Sequence, residues 1–117
     1  MGKLSTHVLD ITQGKPGAGV KVALYVDTGS GRELLKTDVT NADGRCNAPL
    51  LEGESLKAGK YELVFHAGAY FDAQGVSLPS PKFIDEVTLA FGVANVEQNY
   101  HVPLVVSPWS YSTYRGS

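Results

Sequence analysis

Three side chains suited to proton and oxyanion chemistry are spread along this sequence: His7 in Thr6-His7-Val8, Arg45 in Asp43-Gly44-Arg45, and His101 in Tyr100-His101-Val102. An imidazole, with an unperturbed pKa of about 6.5, can take a proton from water near neutral pH or return one to a leaving group. A guanidinium offers a planar fork of donors that fits a carbonyl edge and steadies developing negative charge. The final run, SPWSYSTYRGS at 107–117, adds hydroxyls, aromatics and a second arginine where a terminus is ordinarily polar and frayed, so it is expected to pack. Taken singly, each histidine reads first as a structural residue bonded to the backbone. Spacing alone leaves open whether His7, Arg45 and His101 meet.

Other arrangements are weaker. Cys46 beside Arg45 has no histidine near it in sequence to act as a base, so a thiolate nucleophile is not favoured. A zinc site from His7, His66 and His101 lacks the paired-ligand spacing such sites use, and no metal or cofactor is expected. Gly14, Gly17 and Gly19 follow a strand but lead into another strand rather than a helix, so they form a loop and not a dinucleotide-binding turn. No GxSxG elbow accompanies the terminal serines.

Short strands must position these residues. Apolar and polar positions alternate with a period of two over Ser5–Ile11, Val20–Asp27, Glu33–Thr40, Lys60–Ala67, Phe83–Gly92, Gln98–Val106 and Ser110–Tyr114, with Gly, Pro, Asn and Asp clusters between them. One short helix is expected near Ala69–Gln74, ended by Gly75. The pattern is all-β: about eight strands in a two-sheet antiparallel sandwich. Tyr100, Val102, Leu104 and Val106 form a core face. On the opposite face Pro103 and Val105 join Asn99 and His101, and a strand apolar on both faces is usually covered on both. Ser5, His7, Leu9 and Ile11 echo this in the first strand, so His7 and His101 are both expected at a subunit interface.

With 117 residues, 43% hydrophobic and 19% charged, the chain reads as one globular domain spanning residues 1–117. Its net charge of −2 speaks against a general nucleic-acid binder, and an anionic ligand would need a local cationic cluster. No apolar run approaches the roughly 20 residues that span a bilayer, so no membrane partner is expected. With a single cysteine and no visible signal peptide, a cytoplasmic location is expected, although export of a longer precursor stays open.

Three segments, in order, carry a resemblance. LSTHVLD at 4–10, ADGRC at 42–46, and YHVPL at 100–104 followed by SPWSYSTYRGS at 107–117 resemble the motifs of the 5-hydroxyisourate hydrolases, transthyretin-related enzymes of urate breakdown. The terminal YRGS is the most specific of these, and ADGR alone would be weak. Trp109 departs mildly, standing where the family more often has a smaller aromatic. The resemblance implies a transthyretin-like sandwich in a homotetramer, with active sites at subunit interfaces. It implies that His7, Arg45, His101 and Ser117 are catalytic and that Tyr114, Arg115 and Gly116 line the substrate pocket. The implied reaction is opening of a ring amide of 5-hydroxyisourate by water. Either His7 or His101 is the base in this reading, with His7 slightly favoured. The other histidine polarises the carbonyl or protonates the leaving nitrogen, and Ser117 positions the water. Two other readings compete: a transthyretin-like carrier of a small aromatic ligand, and an adhesive sandwich module. The joint presence of His7, Arg45, His101 and YRGS favours the enzyme over the carrier. The absence of repeats, disulfides or a visible signal disfavours the module.

Overall fold

A computed structural model describes residues 1–116, so Ser117 lies outside the described residues. In chain order it holds β1 (Lys3–Asp10), β2 (Lys15–Pro16), β3 (Lys21–Asp27), β4 (Arg32–Val39), β5 (Leu51–Glu52), a single 3-10 turn at Gly53–Ser55, β6 (Gly59–His66), α1 (Ala67–Ala73), β7 (Glu86–Val93), β8 (Tyr100–Val106) and β9 (Tyr111–Thr113). One sheet runs β2-β1-β8-β9, with β5 added on β1. The other runs β4-β3-β6-β7.

The two sheets form the sandwich expected from the alternation, and much of the core lies on the alternating strand faces, with Leu50, Leu56, Tyr70 and Phe71 added from outside them. Val20, Val22 and Leu24, then Tyr61, Leu63 and Phe65, Val87 and Leu89, and Tyr100, Val102, Leu104 and Val106 form one buried cluster. Each fully buried Leu, Val or Phe side chain there contributes about 1.5–3 kcal/mol relative to exposure. A buried carboxylate joins them. Asp10 at the end of β1 is fully buried and accepts hydrogen bonds from the Tyr70 hydroxyl at 2.8 Å and from the backbone N–H groups of Thr12 and Gln13 at 2.9 and 3.2 Å. Those bonds replace the lost water, and they tie α1 to the strand that carries His7. Burial, with Asp10 beside it, pushes the Tyr70 phenol up from its ordinary pKa, so the hydroxyl stays a donor.

The helix begins two residues earlier than expected, at Ala67, and Gly75, with φ of 78°, terminates it as anticipated. The strand expected from Phe83 starts instead at Glu86. The Asp85 carbonyl accepts the Gly68 N–H of α1 at 2.8 Å, so the preceding residues serve the helix rather than the ladder. Phe83 is exposed against Trp109, ring centroids 6.1 Å apart.

Among the described residues, strand pairing is antiparallel with one exception that matters for the site. β1 and β8 pair in parallel, with Ser5 opposite His101 and His7 opposite Pro103. Parallel neighbours need a long crossover, and here the crossover contains the whole second sheet.

Candidate active site

The parallel register puts Ser5, His7 and Leu9 of β1 and His101, Pro103 and Val105 of β8 on one face, because facing residues of paired strands share a side of the sheet. That is the outer face, since Leu4, Thr6, Val8 and Asp10 alternate into the core. The His7 and His101 rings lie side by side, centroids 6.3 Å apart and planes tilted by 37°.

Arg45 arrives from a turn built to hold it there. Asn41 Oδ1 accepts the N–H groups of Asp43 and Arg45 at 2.9 and 3.2 Å, and its backbone exchanges bonds with Gly44 and Arg45. Gly44 has φ of 77°, a conformation that glycine adopts without strain. A Cβ there would also collide with the Val8 carbonyl oxygen. Gly44 therefore lets its carbonyl accept the Val8 N–H at 2.8 Å and brings Arg45 into a bridge pair with His7. Arg45 is exposed and, with Ser5, Thr6, Cys46, Asn47, Ala48 and Pro49, borders a cavity of about 200 Å³.

The two imidazoles are wired differently. His7 Nε2 lies 3.1 Å from the Asp43 carbonyl oxygen, which can only accept, so this nitrogen carries a hydrogen. His101 Nδ1 lies 2.8 Å from Ser5 Oγ. Burial, and then the charges of Arg45 and His7, hold His101 below the ordinary imidazole range, so it is neutral at pH 7. A cationic wall beside a neutral imidazole can take a proton from water and stabilise an oxyanion.

The C-terminal segment reaches the site through its backbone. The Gly116 N–H donates to the His101 carbonyl at 2.8 Å, and Gly116 passes so close that a Cβ there would lie 2.6 Å from His101 Cδ2. Arg115 does not join the cluster. Its guanidinium sits 4.3 Å from the Tyr100 ring centroid and donates to Gln98 Oε1 and to the Asn99 carbonyl at 3.2 and 3.1 Å. It anchors the segment from behind. Tyr114 is exposed and, with Arg115, borders a separate, mainly apolar cavity of about 400 Å³ lined by Leu89, Phe91, Tyr100 and Val102. Ser117 falls just beyond the described residues.

His66 stands on the other sheet, 3.7 Å from Glu86 through Nδ1, and so does not meet His7 and His101. Cys46 is half-buried, and burial followed by the charge of Asp38 pushes its thiol up to about 11, which opposes a thiolate nucleophile. Sequence reasoning missed Ser5 and the Asp43 carbonyl. The period of β1 places Ser5 on the face of His7, but its meeting with His101 depends on a parallel register that no local pattern encodes.

Comparison with known proteins gives consistent matches. The model of the HIUase/Transthyretin family matches residues 4–116. A 5-hydroxyisourate hydrolase of Ralstonia nicotianae is 60% identical over 117 residues, covering 100% of both chains. Among solved structures, a Klebsiella pneumoniae 5-hydroxyisourate hydrolase superposes with a TM-score of 0.83 at 36% identity, covering 100% of both chains. Sea bream transthyretin in complex with thyroxine superposes with a TM-score of 0.86 at 28% identity, covering 97% of this chain and 94% of that one.

Proposed function

The chain belongs to the HIUase/transthyretin family, and from that premise we propose that it hydrolyses 5-hydroxyisourate to 2-oxo-4-hydroxy-4-carboxy-5-ureidoimidazoline as a step of urate degradation. One observation carries this reading: His7, Arg45 and His101 converge on one sheet face in a chain that is 60% identical to a protein named for that hydrolysis. The carrier alternative has less support, since the transthyretin match is only 28% identical.

In the mechanism we infer, His101 Nε2 takes a proton from water as the water oxygen bonds to the ring carbonyl carbon. The carbonyl electron pair moves onto oxygen, where Arg45 steadies it. Collapse of this intermediate breaks the carbon–nitrogen bond, and His101 passes the same proton to the leaving ring nitrogen. The product acid and the regenerated imidazole balance the water consumed. The sequence leaned towards His7 as base. Burial and the neighbouring cationic charges favour the unprotonated form of His101, and this supports His101 as base. Gly116, packed against His101, borders the substrate in this reading, and the role proposed for Ser117 is to position the water.

The test is the ultraviolet decay of freshly made 5-hydroxyisourate, with spontaneous decay subtracted and the measurement repeated across pH. A base must be unprotonated to act, so a lowered pKa extends activity towards acid. The acid limb of kcat/KM is expected below about 6.5. Lack of acceleration would remove the reaction, and an acid limb above that value would remove His101 as base.

A homotetramer is also proposed, supported by Leu9, Pro103 and Val105 around the two histidines on the outer sheet face. Light scattering is expected to give the mass of four chains, and a monomeric active enzyme would refute the assembly.

A further inference from the structure

Ser5 and His101 are direct partners across the β1–β8 ladder, and 2.8 Å separates Ser5 Oγ from His101 Nδ1. A serine hydroxyl both donates and accepts, so this distance alone does not fix which atom holds the hydrogen. The rest of the ring's surroundings narrow the choice. Gly116 backs the Cδ2 and Cγ edge of the imidazole, where a Cβ would lie 2.6 and 3.2 Å from those atoms. Ser5 occupies Nδ1. Of the two ring nitrogens, Nε2 has no hydrogen-bond partner among the described residues. A neutral imidazole has a single lone-pair nitrogen, so a basic Nε2 requires the hydrogen on Nδ1, donated to Ser5.

The neighbouring hydroxyl cannot take this part. Thr6 alternates to the inner face, where its Oγ1 is buried and donates to the Val102 carbonyl at 2.7 Å.

We propose that Ser5 is a positioning residue for hydrolysis: its hydroxyl accepts the Nδ1–H of His101 and holds the ring in the tautomer whose Nε2 is basic. The proposal rests on the assignment of His101 as base. It splits the two histidines by their partners. An acceptor at His101 Nδ1 puts the lone pair on Nε2, whereas the acceptor at His7 Nε2 puts the hydrogen there, so the two rings hold opposite tautomers. It also gives the LST segment before His7 a task apart from strand formation.

The experiment is nitrogen-15 NMR of the histidine side chains of the intact protein, held above the His101 titration, for the wild type, Ser5→Ala and Ser5→Thr. Steady-state kinetics run alongside. In the wild type, His101 Nδ1 is expected to be pyrrole-like and Nε2 pyridine-like. Ser5→Ala should shift the population towards the other tautomer and lower kcat about tenfold, the scale that one neutral hydrogen bond supports. KM should stay within about twofold, and Ser5→Thr, which keeps the hydroxyl, should restore both readouts. A wild-type His101 with its hydrogen on Nε2 would overturn the proposal. So would a Ser5→Ala protein with unchanged tautomer and unchanged kcat. The spectra are independent of turnover. A Ser5-dependent tautomer in a protein that fails to accelerate 5-hydroxyisourate decay would sustain the role of Ser5 and refute the reaction.

Discussion

His101→Asn is expected to lower kcat by about 10²- to 10⁴-fold, the range that a positioned general base contributes, without lowering the melting temperature. Asparagine places an amide near the Nδ1 edge of the imidazole, so contact with Ser5 can persist. Nothing in the amide replaces Nε2. The ring is only partly buried, and the strand that carries it is held by Tyr100, Val102, Leu104 and Val106 beneath. The check is single-turnover decay of 5-hydroxyisourate together with thermal unfolding. A folded His101→Asn protein with wild-type kcat would show that the proton goes elsewhere, and His7 would become the candidate.

Arg45→Ala is expected to cost about 10²- to 10³-fold in kcat, as removal of an oxyanion donor does. It should leave a second mark that a purely structural defect would not. The charge of Arg45 is one of the forces lowering the His101 pKa, after burial. Its removal therefore lets that pKa rise, and the acid limb of the residual activity should move to higher pH. Arg45 is exposed at a turn organised by Asn41 and Gly44, so the fold should be indifferent to the change. Arg45→Lys should recover the limb position better than the rate, because a point charge restores the field but not the planar fork. An Arg45→Ala enzyme whose acid limb stays in place would separate Arg45 from His101.

Alternation made the core legible in the sequence. The four residues of β8 expected inside are all buried, and so are Val20, Val22 and Leu24. Gly75 marked the helix end. The missed strands, β2 and β5, have two residues each, and no period can be read in two residues. Their strand geometry comes from their pairing with β1. The alternation of Val87, Leu89 and Phe91 was extended back to Phe83, but the Asp85 carbonyl is taken by the Gly68 N–H of α1. His7, Arg45 and His101 were identifiable through the three segments that resemble family motifs. Their proximity was not, because it depends on the β1–β8 register and on the turn at Gly44. Arg115 looked like a second site cation in the sequence. The structure spends its guanidinium on Tyr100, Gln98 and Asn99.

The β1–β8 pairing also sets an order of events. Ser5 and His101 are 96 positions apart, and their strands must close a loop that holds most of the chain. Contacts of such high sequence separation are slow to form, and during synthesis the N-terminal portion emerges first. The sheet made of β3, β4, β6 and β7 draws on residues 21–93, so it can pair while His7 still waits for its neighbour. Catalytic competence therefore depends on this long-range pairing, and regained activity on refolding is expected to report the joining of β1 to β8 rather than the first appearance of β-structure.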